Sequence, residues 1–151
     1  MDADARQRLI EKALTILEEG STLLAVSLDD FFEGNTDDAS IGVNLSEDKH
    51  IGLAGFRRLL SGVGERANVQ GIFLELTEIP DPDDEAAAEI WPTACVAFVV
   101  TSAPIAEVAE WVAPLHPRDI NEGWCIQPGV KPPLSDADLR PGMRPVRVWL
   151  L

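Results

Sequence analysis

The sequence predicts a single α+β domain spanning residues 1–151, in which a mixed, mostly antiparallel sheet of about five strands packs with three helices. Two observations predict this class. Apolar residues recur at helical spacing in three segments, and five other segments have the pattern of strands, in the order α-β-β-α-β-β-α-β. Residues 114–145 contain seven prolines and three glycines, and are predicted to wrap the surface of the same domain as irregular chain.

The N-terminal part is predicted to start with an amphipathic helix that Asp4 caps and Gly20 ends. Residues 24–28 and 41–45 alternate apolar with small or polar residues, which is typical of strands. We expect these two strands to pair with each other through a loop at 29–40.

The remaining elements show the same two periods. A second helix is predicted from Leu53, where apolar residues return to helical spacing. Residues 69–78 alternate as a half-buried strand. Residues 94–100 are apolar on both faces and rich in β-branched side chains, as expected for a central strand covered on both sides. A third helix ends at Pro114, and residues 146–150 alternate as the last strand.

The charge of the chain restricts its possible partners. It has 26 acidic and 12 basic residues, a formal net charge of -14 and an isoelectric point near 4.3. This field repels phosphate backbones and anionic membranes, so binding to nucleic acid or to a membrane is not expected. The chain lacks an apolar stretch of about 20 residues and a secretory signal pattern, and we therefore expect a cytoplasmic protein.

The first candidate site is the acidic segment 29–38, which has five carboxylates and no basic residue. One interpretation is a solvated loop that points its charges into water. A second is a docking surface for a basic partner, in which Phe31 and Phe32 supply buried anchors. A third is a site for a hard cation, although the calcium-loop pattern is absent. The five carboxylates are Asp29, Asp30, Glu33, Asp37 and Asp38.

The second candidate site is the acidic segment 75–89, which has seven carboxylates and again no basic residue. If the fold brings both acidic segments to one edge, their charges add and attract a basic protein at an enhanced rate. The alternative is a hydrated turn around Pro80 and Pro82. The partner-binding candidates in this segment are Glu75, Glu78, Asp83 and Asp84.

Catalytic patterns are weak throughout the chain. Glu75 and Glu78 come nearest to an acid–base pair. Cys95, His116 and Cys125 lack the spacing of a zinc site or of a Cys-His nucleophile. We therefore predict no catalytic residue, no metal and no cofactor. A carboxylate-based enzyme or small-ligand protein, with a divalent cation in a pocket at the sheet end, stays open as the alternative.

Over most of its length the chain resembles a set of small uncharacterised bacterial proteins. The resemblance is carried by short stretches at 31–35 (FFEGN), 40–45 (SIGVNL), 101–103 (TSA), 107–111 (EVAEW) and 122–124 (EGW). Some similar small acidic proteins are cytoplasmic immunity partners of secreted toxins. The resemblance brings no catalytic residues, and it implies a protein that binds and blocks a toxin domain.

The function expected from the sequence is therefore a protein-binding or inhibitory module, with an immunity-type protein as the leading hypothesis. It would block a basic toxin, for example a nuclease, through its acidic surface. The carboxylates of 29–38 would pair with the cationic groups by which a nuclease holds phosphate.

Overall fold

A computed structural model describes all 151 residues. Its helices are α1 (Ala3–Glu18), α2 (Leu28–Phe32), α3 (Leu53–Gly64) and α4 (Ile105–Val112). Its strands are β1 (Ala25–Ser27), β2 (Val69–Glu78), β3 (Thr93–Thr101), β4 (Asp119–Glu122) and β5 (Arg144–Trp149). None of the helices combines the length and the apolar character needed to cross a membrane.

The strands form one five-stranded sheet in the order β1-β2-β3-β5-β4, and every pair of neighbours is antiparallel. β3 lies at the centre because its apolar residues are buried on both faces, and Ala97 pairs with Leu74 on one side and Val148 on the other. The predicted α+β class and the five-stranded sheet are confirmed.

The two faces of the sheet are covered differently. The main core joins α1, α2, α3 and α4 to one face, with large side chains such as Phe56, Leu60 and Leu74 fully buried. On the other face Phe98 is buried beneath Trp124, whose ring centroid lies 5.1 Å from that of Phe98. Trp124 belongs to the proline-rich stretch, so this stretch covers the face that the helices leave open.

The proline-rich stretch also contains β4, which the sequence did not predict. Its residues, Asp-Ile-Asn-Glu, have one apolar side chain among four and therefore no apolar alternation. The chain then passes the residues just before β1, where the Lys131 N–H donates to the carbonyl of Ser21 at 2.7 Å and the Leu23 N–H donates to that of Lys131 at 2.8 Å. The rest of 114–145 is mostly irregular, as expected.

The expected hairpin between 24–28 and 41–45 is wrong. β1 pairs with β2 instead, and Ile41 makes only an isolated parallel bridge to Ala94. The loop expected at 29–40 begins with α2, because the Ser27 hydroxyl accepts the Asp30 N–H at 3.1 Å and starts a helix. The segment after it returns across the end of the sheet.

Gly42 explains why 41–45 does not continue as a strand. Its φ is +66°, and a Cβ added there would lie 2.8 Å from the ring of Phe56. Only glycine combines this left-handed backbone with so close an approach. The chain therefore turns at Gly42 and packs on α3.

The helix ends follow from local hydrogen bonds. Asp2, and not Asp4, caps α1, because its Oδ1 accepts the N–H groups of Asp4 at 3.0 Å and Ala5 at 3.1 Å. Gly20 follows the end of α1 with φ +81°, as its position in the sequence predicts.

Substitution of Gly42 tests this packing. Gly42→Ala should lower the free energy of unfolding by about 1–3 kcal/mol, because it adds backbone strain and a clash with Phe56. The control is Gly62→Ala in α3, where a Cβ meets nothing within 4 Å. It should raise stability by about 0.5–1 kcal/mol. Chemical denaturation measures both, and equal effects would contradict the role of Gly42.

Candidate functional site

A groove of about 780 Å³ crosses the end of the sheet where β2 ends and β3 begins. Three carboxylates line it, from Asp37, Glu78 and Glu89, together with apolar residues that include Val43 and Ile90. No arginine, lysine or histidine lines it. We call this feature the end groove.

The two acidic segments of the sequence meet at the end groove. Asp37 comes from the first segment, and Glu78 and Glu89 come from the second. The Asp37 Oδ2 accepts the backbone N–H of Trp91 at 3.2 Å, which ties the chain beyond the second segment to the first. The fold therefore combines part of both segments in one negative surface.

Asp37 and Asp38 are structural as well as acidic. Asp37 Oδ1 accepts the N–H of Ala39 at 3.0 Å, while Asp38 Oδ1 accepts the N–H of Leu53 at 2.8 Å. The second bond caps α3, whose own N-cap residue is Gly52 and has no side chain to do so. Charge reversal at these two positions would therefore disturb folding as well as any binding.

Arg6 holds the groove segment 85–91 in place. Its side chain is buried, and Nε donates to the carbonyl of Ile90 at 2.8 Å while Nη2 donates to that of Ala87 at 2.7 Å. No carboxylate lies within ion-pair distance of it. The guanidinium thus fixes the backbone that presents Glu89 and Ile90.

Half of the large exposed apolar side chains lie at the end groove or beside it. Six large apolar residues are exposed in the whole chain, and two of them, Val43 (44%) and Ile90 (51%), line the groove. A third, Met1, lines an adjoining pocket of about 520 Å³ that shares Asp37 and Glu89 with the groove. Exposed apolar surface rimmed by charge is typical of a binding site.

Trp91 is a groove residue that the sequence did not single out, as are Val43, Glu89 and Ile90. Its side chain is fully buried, yet its indole Nε1 is the only buried side-chain nitrogen or oxygen in the chain without a hydrogen-bond partner. Trp91 lines both the end groove and a smaller pocket of about 270 Å³ next to it. The feature of the sequence that could have identified Trp91 is its position close after the acidic segment 75–89.

The carboxylates of α2 and its C-cap lie elsewhere. Asp30 pairs with Lys12, and Glu33 pairs with Arg57 at 3.2 Å. Asp29, Asp30 and Glu33 line a separate pocket of about 360 Å³ together with Arg8 and Lys12. Basic residues of α1 and α3 therefore neutralise part of this charge.

Phe31 and Phe32 are not available to a partner. Their exposed fractions are 0% and 2%, and their rings contact each other edge to face at 4.9 Å inside the core. The expectation that they anchor a partner is wrong, because α2 turns both rings toward α3 and the sheet.

The remaining predicted residues are dispersed. Glu75 lies outside the groove beside Cys95, with Oε2 at 3.5 Å from Sγ, so it does not face Glu78. Asp83 is exposed, and Asp84 caps a short turn by accepting the N–H of Ala86 at 3.0 Å. No three His, Cys, Asp or Glu side chains come together in a geometry that could hold a metal ion.

The two cysteines have opposite environments. Burial raises the pKa of the Cys95 thiol to about 12, and the nearby charge of Glu75 adds to the effect. Cys125 is exposed and follows Trp124 with φ +54°. The thiolate is the reactive form, so Cys95 is protected chemically as well as sterically.

Thiol titration tests this difference. At about pH 8 a disulfide reagent should modify one thiol of the folded protein quickly and the second only after unfolding. Cys125→Ser should remove the fast phase. Because the raised pKa is lost on unfolding, Cys95 should also favour the folded state less as the pH rises from about 9 toward 12. Fast modification of Cys95 in the native Cys125→Ser protein would contradict its buried position.

Arg6→Met tests the attachment of segment 85–91. The variant keeps the apolar stem but leaves the carbonyls of Ala87 and Ile90 without donors, so the free energy of unfolding should fall by about 2–4 kcal/mol. Arg8→Met, at an exposed position of the same helix, should change it by no more than about 0.5 kcal/mol. Similar values for both variants would show that the two bonds contribute little.

Comparison with known proteins gives a family but no activity. The sequence profile of the Uncharacterized protein YfbO family matches residues 4–148. The chain is 32% identical over 128 residues to Uncharacterized protein YfbO of Escherichia coli (strain K12), which covers 82% of this chain and 80% of that protein. No solved structure matches the chain. The match over nearly the whole length shows that the chain belongs to the YfbO family.

Proposed function

We propose that this protein is a binding module that inhibits a basic protein partner, with the end groove as its contact surface. One observation carries the proposal: the groove combines three carboxylates and two exposed apolar side chains, and no basic residue lines it. Apolar surface supplies contact area, and uncompensated charge selects a partner of opposite sign.

The charge balance of the whole chain supports this proposal. Of 26 acidic residues, three form ion pairs, namely Asp30, Glu33 and Glu122. Most of the negative charge is thus not neutralised by a neighbouring side chain. A basic partner would be drawn toward such a surface, at a rate that falls as salt screens the field.

The inhibitory role follows the behaviour of immunity-type proteins that block basic toxins in the cytoplasm. A nuclease is one such toxin, because it holds phosphate with cationic groups. Glu78 and Glu89 would pair with those groups, while Val43 and Ile90 would exclude water from the contact. The inhibitor would then occupy the position of the toxin's substrate, and it would not itself take part in a reaction.

Charge reversal in the groove tests the proposed function. Tagged protein is used to capture partners from a lysate of the native host at low salt, and the captured proteins are identified by mass spectrometry. Wild type should retain a basic protein in stoichiometric amount, and the double variant Glu78→Lys/Glu89→Lys should retain at least about tenfold less of it.

The control is Glu18→Lys/Glu110→Lys, which changes the net charge equally at two exposed positions outside the groove. Glu18 ends α1, about 22 Å along the helix axis from Ala3, which lines the pocket adjoining the groove. This variant should keep the partner. Equal loss in both variants, or capture of no basic protein by wild type, would contradict the proposal.

A further inference from the structure

We infer that the end groove binds an amphipathic basic segment of the partner, in which arginine or lysine residues alternate with large apolar residues. The inference rests on the proposed function and adds the chemical class of the bound segment. A purely ionic surface contact is the competing possibility, and the two differ in whether the apolar residues of the groove contribute.

The size of the groove suits a segment of several residues. Its volume of about 780 Å³ lies within the range of roughly 300–1,000 Å³ that is typical of ligand sites in proteins. The adjoining pocket of about 520 Å³ shares Asp37 and Glu89 with it, so the lined surface continues beyond the groove. A single cationic side chain would fill only part of this space.

The charge of the lining sets the sign of the bound segment. Glu78 and Glu89 are exposed and form no ion pair within the chain. Because no basic residue lines the groove, these carboxylates can be neutralised only from outside. Arginine and lysine form charge-assisted hydrogen bonds with carboxylates, and arginine can bind one with two parallel bonds.

The apolar residues set the second requirement. Val43 and Ile90 have exposed fractions of 44% and 51%, and both line the groove beside the carboxylates. A partner that contacted only the carboxylates would leave both side chains in water. Each apolar Å² removed from water contributes roughly 25 cal/mol, so a segment that also carries leucine-like side chains binds more tightly.

Trp91 provides an independent observation. Its buried indole N–H has no acceptor, and a buried donor without a partner costs about 1–3 kcal/mol. Such groups are rare in native proteins, and a bound water or ion, local strain or a functional role accounts for those that occur. Trp91 also lines the groove, and because its Nε1 is shielded from solvent, a main-chain carbonyl of a bound segment reaches it only when the lining opens.

Synthetic peptides of about fifteen residues test the inference. One alternates arginine with leucine, the second alternates arginine with serine at the same charge, and the third alternates glutamate with leucine. Binding is measured by fluorescence anisotropy at about 0.15 M salt. The arginine–leucine peptide should bind at least about tenfold more tightly than the arginine–serine peptide, and the glutamate–leucine peptide should not bind.

The matched variants are Val43→Ser/Ile90→Ser in the groove and Leu14→Ser/Leu17→Ser on α1. Both pairs remove exposed apolar side chains, with exposed fractions of 44% and 51% in the first and 37% and 51% in the second. The groove variant should bind the arginine–leucine peptide at least about tenfold more weakly than wild type does, and the α1 variant should bind it with unchanged affinity. Equal effects of the two variants would overturn the inference.

The indole N–H signals of the four tryptophans give a readout of the position of binding. In a proton–nitrogen correlation spectrum, Trp91→Phe identifies the Trp91 signal. The arginine–leucine peptide should shift that signal and spare that of Trp111, which lies under Arg66 and does not line the groove. A shift of Trp111 without a shift of Trp91 would place the peptide elsewhere and overturn the inference.

The outcomes separate this inference from the proposed function. If the two arginine peptides bind equally and Glu78→Lys/Glu89→Lys weakens both, the surface is ionic, so the inference fails and the proposed function stands. If no peptide binds but capture of a basic protein still depends on those carboxylates, the partner is recognised through a folded surface. The inference then fails and the proposed function stands. If capture is also independent of them, both fail.

Discussion

The candidate site depends on two hydrogen bonds that the buried guanidinium of Arg6 donates to backbone carbonyls. Removing a charge from water is costly unless polar groups surround it, and here two carbonyl oxygens take the place of a carboxylate. These carbonyls belong to the segment that presents Glu89, Ile90 and Trp91, and Asp37 holds its last residue by accepting the Trp91 N–H. Helix α1 thereby determines the shape of a groove formed at the end of the sheet.

The excess of acidic residues has two separate roles in this fold. Some carboxylates accept backbone N–H groups at the start of a helix or turn, as Asp2, Asp38 and Asp84 do. Others, such as Glu78 and Glu89, line the groove without an internal partner. The net charge of the chain therefore indicates the sign of a partner but not the position of the binding surface, because some of the carboxylates serve as caps away from the groove.

The periodic patterns predicted the sheet better than they predicted the site. Residues 69–78 alternate at Ile72, Leu74 and Leu76 and form β2 over that same range, and the uniformly apolar 94–100 lies inside β3. Residues 41–45 alternate as well, but the left-handed Gly42 and its contact with Phe56 prevent a strand. Such a contact is tertiary, and a local pattern does not contain it.

The sequence predicted that the site is negatively charged, but it did not predict which residues come together there. The sequence placed Phe31 and Phe32 in an exposed loop, whereas a hydrogen bond to Ser27 starts a helix that buries both rings. Asp37, Glu78 and Glu89 become neighbours only because the chain crosses the end of the sheet at Ile41. The two acidic segments are about 40 positions apart, so no spacing rule could bring them together.

The two edges of the sheet bear on how the protein behaves at high concentration. Unpaired strand edges are templates for pairing with further chains and hence for aggregation. β1 has only three residues, and the chain around Lys131 bonds the backbone of Ser21 and Leu23 just before it. β4 has only four residues, and its Asp119 carboxylate accepts the N–H of Ile120 at 2.9 Å. Both edge strands are thus short, so each offers few backbone groups for pairing with a second molecule, and contacts between molecules at high concentration fall mainly to side chains.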